Sequence, residues 1–248
     1  MYYLGSTPTR VVASVRVALA LALAVSFAWT NTARSQEQRV PMPDNPRYTF
    51  ESIGDEVGLG TRGVTALLQD TRGFVWVGTQ DGLFLCDGAE ALRIDQGQGL
   101  EDSWIRQIIE GPDGTIWAVA GDGISRYDGF EFSRFEPPPG VDLNLTSQMY
   151  MPQLIAVGPR NLLYVAVVEG LWSIPLTGSG AVHHWSTTNG LPDNRTRAVH
   201  VDKDGTVLVA TATAIAEIHS ETGKIRTWPV PEVAAMKEGA SIVGDRRG

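Results

Sequence analysis

The sequence predicts an all-β fold, a β-propeller built from four-stranded antiparallel blades. Three observations predict it. First, the chain repeats itself: with Gly73 as anchor, the equivalent positions are Gly114, Asn161, Gly205 and Gly248, spaced 41, 47, 44 and 43 residues apart. Second, each copy breaks into short runs rich in β-branched and aromatic residues with Gly-bearing turns between them, such as "FVWVGT" and "GLFLCDG". Third, no window of the repeat carries the 3.6-residue apolar period of a helical solenoid. A β-helix needs a much shorter period, and a leucine-rich repeat a different spacing of Leu and Asn. Four antiparallel strands in about 40–50 residues is the propeller module.

Residues 1–35 stand outside the repeat. They hold Arg10, Arg16 and Arg34 and no acid, the apolar run "VALALALAVSFAW" from Val17 to Trp29, and Ala33-Arg34-Ser35 with small residues two apart. This is the pattern of a secretory signal peptide, with Gln36 opening the mature chain. The alternative, an uncleaved anchor, is disfavoured because the run falls short of the ~20 residues that span a bilayer. Residues 36–47 read as a linker. With the signal peptide three bases and no acids leave, so the net charge falls from −8 to −11. An acidic surface repels nucleic acid and anionic membranes, and no nucleic-acid partner is expected. The lone Cys86 has no internal disulfide partner; it lies in the run Leu83-Phe84-Leu85-Cys86 and reads as a small core hydrophobe.

The propeller region is expected over residues 48–248. "YTFES" at Tyr48–Ser52 copies the fourth, outer strand of a blade and precedes the first full copy, as a closing strand completing a blade from the other terminus would. Blade 1 is expected at 64–95, blade 2 at 104–136, blade 3 at 154–186 and blade 4 at 197–229, with a fifth starting at 240–248. Large apolar residues recur three positions after the anchors, at Trp76, Trp117, Tyr164 and Leu208, where blade-to-blade packing is the plain use of them. Gly82-Leu83, Gly123-Ile124, Gly170-Leu171 and Ala214-Ile215 mark the turn between second and third strands. Asp70 and Asp202 open the turns after the first strands, where an Asp carboxylate takes backbone amides and Gly supplies positive φ. "SIVGDRRG" at Ser241–Gly248 copies the first strand and its turn, so the expected structure is an open part of a larger ring. A complete four-bladed ring is the competing arrangement, and it leaves the fifth partial copy unexplained.

The pattern "VTALLQDTRGFVWVGTQDGLFLCDG" (Val64–Gly88) closely resembles the two-component regulator propeller repeat, and "QIIEGPDGTIWAVAGDGISRYDG" (Gln107–Gly129) matches it nearly as well. "NGLPDNRTRAVHVDKDGTVLVATATAIAEI" (Asn189–Ile218) matches in its first half and then loses the Trp and both glycines; the copy around Gly158–Trp172 is weaker. The resemblance covers roughly Tyr48–Gly248. It implies seven-bladed propellers, often in tandem, serving as the periplasmic sensor half of bacterial receptors. In such receptors a β-sandwich and a transmembrane helix follow. The output is most often a histidine kinase, otherwise a hybrid kinase, a diguanylate cyclase or a helix-turn-helix regulator. The partners so implied are an extracytoplasmic ligand, by family analogy a carbohydrate, the remaining propeller with a membrane-anchored output domain, and a second copy in a homodimer.

No catalytic constellation emerges, and neither a cofactor nor a metal is expected. The histidines are His183, His184, His200 and His219; the first two are neighbours on an outer strand and point to opposite faces. His-x-x-x-His, paired Cys, Gly-x-Ser-x-Gly and phosphate-loop patterns are absent. "DKDG" is too short for a calcium loop. Gly97-Gln98-Gly99 is a turn, because no helical pattern follows it. Ligand contacts are expected in the loops entering each first strand and between second and third strands: Gly60–Gly63, Glu101–Ser103 and Asp193–Arg195, with Gln80-Asp81, Gly121-Asp122 and Val168-Glu169. The candidate side chains are Arg62, Asp81, Asp102, Asp122, Glu169, Asp193 and Asn194. The alternatives are a secreted propeller enzyme resembling streptogramin lyase, which needs a convergent His and acid that these scattered histidines do not supply, and a plain interaction scaffold.

Overall fold

A computed structural model describes residues 59, 63–87, 90–145, 151–177, 180–220, 222–230 and 241–242. The segments expected to be the signal peptide (1–35), the linker (36–47), the closing strand (48–52) and most of the start of a fifth blade (240–248) lie outside the described residues. Among the described residues, sixteen strands form four sheets. Blade 1 is β1 (Val64–Gln69), β2 (Val75–Thr79), β3 (Gly82–Cys86) and β4 (Ala91–Ile94); blade 2 is β5 (Ile105–Glu110), β6 (Ile116–Ala120), β7 (Gly123–Tyr127) and β8 (Phe132–Arg134). Blade 3 is β9 (Ile155–Gly158), β10 (Leu162–Val167), β11 (Gly170–Pro175) and β12 (His183–Trp185); blade 4 is β13 (Thr196–Val201), β14 (Thr206–Thr211), β15 (Ala214–His219) and β16 (Ile225–Pro229). In each, four consecutive strands pair antiparallel in chain order. Among the described residues there is no α-helix; Gln96–Gln98 and Thr187–Asn189 are single 3-10 turns leading out of the outer strands.

The first strands β1, β5, β9 and β13 stand next to one another in sequence order, so blades follow radially. Side chains facing the next blade make the core. Trp76 is fully buried and meets Tyr127 and Phe132 of blade 2 edge-on at 5.4 and 6.1 Å. Trp117 joins Leu154, Ile155 and Val165 of blade 3, and Tyr164 joins Val199, Val207 and Ile218 of blade 4. The recurring aromatic position is therefore an inter-blade position. Leu59, Leu100 and Leu191, at equal distances before their anchors, are all buried beside these layers. Cys86 is buried with Val77 and Phe84, and burial, followed by the charge of Asp87, holds its thiol above the ordinary value.

Polar side chains tie the first strands and the segments beside them to one another across blades. Thr65 Oγ1 donates to the Ile105 carbonyl at 2.6 Å. Gln107 Oε1 accepts from Leu154 N and Ile155 N at 2.6 and 2.9 Å while Nε2 donates to Ile155 O at 2.7 Å. The Gln153 side chain likewise both accepts from and donates to the backbone of Ile242, which is buried against Ala198 and Ala210 of blade 4. Each bond satisfies a strand edge that sheet pairing leaves open.

Candidate functional site

Sheet register puts the starts of the first strands, the turns between second and third strands and the ends of the outer strands on one face. Val64 pairs with Thr79, Thr79 with Gly82, and Leu83 with Ile94 in blade 1. Blades 2 and 4 follow the same register, and in blade 3 Val167 pairs with Gly170 and Leu171 with Trp185. The turns are rigid by construction. Thr79 Oγ1 donates to Gly82 O at 2.8 Å and accepts from Asp81 N at 3.0 Å; Thr211 repeats the first bond with Ala214 O. The incoming loop of the next blade then seals the turn: Gly82 N donates to Ser103 O at 2.7 Å, and Thr196 Oγ1 to Val167 O and Gly170 O at 2.6 and 3.0 Å.

Six of the seven candidate side chains lie on this face; Arg62 lies outside the described residues. Asp81 is exposed and accepts from Arg93 Nη2 at 3.2 Å. Asp102 caps its own loop by accepting from Trp104 N at 2.8 Å. Asp122 is exposed on the β6–β7 turn. Glu169 is exposed on the β10–β11 turn, and its carbonyl lies 3.1 Å from His184 Nε2. Asp193 accepts from Arg195 N, Nε and Nη2 at 2.9, 3.1 and 2.7 Å. Those Arg195 bonds outweigh its partial burial and hold its carboxyl below the ordinary range. Asn194 accepts from Thr187 N through Oδ1 at 2.6 Å, tying the entry loop of blade 4 to the 3-10 turn before it.

Two of the candidates share a partner that sequence reasoning missed. Arg106 is buried on β5, feels the charges of Asp122 and Asp102, and donates through Nη1 to the Leu145 carbonyl at 3.2 Å. Burial pulls its pKa below the ordinary value and the two carboxylates oppose that pull. The pairing of β5 with β6 skips it: Ile105 pairs with Ala120 and Gln107 with Val119. Thr65 and Arg197 are skipped identically in β1 and β13. This repeated bulge turns one residue out of the pleat in three of the four first strands; β9 pairs without it. Arg197 occupies it in blade 4, where its charge favours ionised Asp193. The only sequence signal was a shared offset before the anchor.

The histidines do not meet. His200 Nε2 lies 3.2 Å from Asp202 Oδ1, His219 Nε2 lies 3.0 Å from Glu217 Oε1, and His184 stacks on Trp172 at 4.1 Å. Among the described residues no three His, Cys, Asp or Glu side chains are placed to hold a metal ion. Nor is any helix of the described residues long and apolar enough to cross a membrane.

This radial stack, with its Asp-x-x-Gly turns and its Trp register, can be set beside known proteins. Residues 58–81 match the family described as two component regulator propeller. The match spans the entry loop, β1 and β2 of blade 1, the part of the chain that contains Asp70, Gly73 and Trp76. No curated protein matches the sequence. Solved structures share the fold at low identity. One is the extracellular domain of a hybrid two component system from B. thetaiotaomicron, 20% identical with a TM-score of 0.59 over 81% of this chain and 27% of that one. A second such domain from the same organism is 19% identical with a TM-score of 0.62, over 80% of this chain and 30% of that one. A virginiamycin B lyase from Staphylococcus aureus is 14% identical with a TM-score of 0.54, over 73% and 59%. The chain thus spans less than a third of the length of the two B. thetaiotaomicron domains. These likenesses establish the β-propeller architecture.

Proposed function

We propose that this two component regulator propeller segment is the extracytoplasmic, ligand-sensing part of a bacterial receptor, with a membrane-anchored histidine kinase as its output. The match of residues 58–81 to that family, set in four blades of the matching register, is the observation that carries it. The arginine-flanked apolar segment before Gln36 supports export. The loop face supports sensing: Thr79 closes the β2–β3 turn and Thr196 the β10–β11 turn, so the side chains of Asp81 and Glu169 are held out on a rigid frame. The segment itself is non-catalytic, since its four histidines sit in separate local pairs and stacks. Its ligand is a small extracytoplasmic molecule, with a carbohydrate the class the family likeness suggests. The remaining blades and the output domain belong to the parent protein, which acts as a homodimer.

The test is the genomic reading frame beyond the codon for Gly248, with the N-terminus of the exported protein. The expected frame holds further Asp-x-x-Gly/Trp copies, a single membrane span and a kinase-type output, and the exported chain begins at Gln36. A stop codon directly after Gly248 in a verified transcript, or retention in the cytoplasm with Met1 intact, would overturn the proposal.

A further inference from the structure

The longest spacing of the repeat, 47 residues from Gly114 to Asn161, falls between blades 2 and 3, and residues 135–145 of the connecting segment pack onto the molecule. Phe135, Val141 and Leu143 pack against the core that holds Trp117, Ile124 and Leu154. Leu145 is almost fully buried, and its carbonyl is the acceptor of Arg106. Between this segment and the start of β7 lies a cleft of about 360 Å³. Its lining is more polar than apolar: Asp122, Arg134, Asp142 and Asn144 stand beside half-buried Phe135, Val141 and Leu143, with Ile124 buried behind them. The size is at the lower end of small-molecule sites, roughly 300–1,000 Å³.

The rim is fixed in place. Asp122 sits between two glycines packed against the entry loop of blade 2: a Cβ on Gly121 would stand 2.6 Å from Asp102 Cβ, and one on Gly123 would stand 2.3 Å from Glu101 Cγ. The entry loop of blade 2 therefore clamps the turn that presents Asp122. The charge around the cleft is one-sided. Arg134, also in the lining, is engaged by Glu101 at 2.6 Å and Glu136 at 3.2 Å. Arg106 lies beneath, facing both Asp102 and Asp122. Glu101, Glu136, Asp102, Asp122 and Asp142 outnumber these two guanidinium groups, so the cleft is left with net negative charge, and Phe135, Val141 and Leu143 supply the apolar part of its lining. An anionic ligand is repelled there, and a cationic one is attracted.

We propose that this cleft binds a small organic cation, with an ammonium or guanidinium group beside Asp122 and Asp142 and its apolar body on Phe135, Val141 and Leu143. The cleft belongs to the loop face of the sensor, and the signalling consequence of its occupancy rests on the receptor assignment; binding itself does not. The experiment is a titration of the isotope-labelled full chain followed by amide NMR, using phenethylamine as probe, with 2-phenylethanol and phenylacetate as neutral and anionic controls. Phenethylamine is expected to give saturable shifts confined to Gly123, Ile124 and residues 141–145. The alcohol should bind about tenfold more weakly, and so should the amine to the Asp122→Asn/Asp142→Asn variant, because a charge-assisted contact is lost. Both aspartates are exposed, so the variant keeps its fold, which its unshifted spectrum elsewhere verifies. Absence of saturation, equal binding of the alcohol or the carboxylate, or shifts centred elsewhere would each overturn the cleft assignment. None of these outcomes bears on the receptor assignment, which stands or falls with the reading frame beyond Gly248.

Discussion

Asp70 shows how one residue of the repeat holds a blade. Its buried carboxylate accepts from Arg72 N, Phe74 N, the Arg72 guanidinium and Trp76 Nε1, the last at 3.1 Å. One side chain thus closes the β1–β2 turn and anchors the inter-blade tryptophan. In blade 2 the equivalent residue is Gly111, and Trp117 Nε1 is buried with no acceptor among the described residues. Two outcomes follow. Asp70→Ala should cost about 2–3 kcal/mol in urea unfolding, because charged hydrogen bonds are lost and a buried indole N–H is orphaned. Trp76→Phe should cost more than Trp117→Phe by about 1 kcal/mol, since only the first breaks a satisfied bond; equal costs would refute this account. The same carboxylate sets a pH dependence. Burial would raise its pKa, but the bonds from Trp76, Arg72 and Phe74 and the charge of Arg72 outweigh burial and lower it. Its contribution is therefore complete above the unfolded value near ~3.9 and disappears as pH falls through the lower folded value. Acid unfolding of Asp70→Asn should show a shallower loss of stability below about pH 4 than the parent.

At the scale of strands and turns, the blades share a register but differ in their means of closing it. Gly170 opens β11 with φ of +130°, and a Cβ there would lie 2.1 Å from the Trp185 carbonyl of β12. Gly140 also has positive φ, +86°, but open space around it. Gly140→Ala should then cost about 1 kcal/mol from backbone strain alone. Gly170→Ala should cost at least about 2 kcal/mol and raise hydrogen exchange at residues 183–185, since the outer strand must move away. Blade 4 departs furthest from its siblings. The cross-strand row that reads Leu68–Trp76–Leu85 in blade 1 is His200–Leu208–Glu217 there, with Glu217 buried and paired to His219. The loss of the tryptophan was legible in the sequence. That Glu217 and His200 flank the vacated position was not, because cross-strand neighbours are set by pairing between distant segments.

At the scale of the molecule, one repeat position is used in two opposite ways. Ile108, Ile155, Val199 and Ile242 stand six residues before their anchors and are buried against the preceding blade. Leu67 stands at that position in blade 1 and is 67% exposed, with Val64 at 54% beside it. Ile108→Ala should destabilise by about 2–4 kcal/mol, whereas Leu67→Ala should change stability by less than about 0.5 kcal/mol. Chemical denaturation of both variants decides it, and a comparable cost at Leu67 would mean that its face is packed in solution.

The sequence by itself determined the all-β class, the four-stranded module, the tryptophan register and the Asp-capped turns. Each of these is written within a few residues: side chains alternate along a strand, glycine permits positive φ, and Asp caps its own turn. The shared face of the candidate loops followed from the same alternation. Only the tertiary structure decided that Asp102 and Asp122 meet around buried Arg106, because a bulge that leaves no mark in composition turns that arginine out of β5. It likewise decided that residues 135–145 wall a cleft instead of trailing in solvent. Contacts between blades depend on how whole sheets stack and how a connecting segment finds its apolar partners, and that is a property of the packed core, which no local stretch of sequence contains.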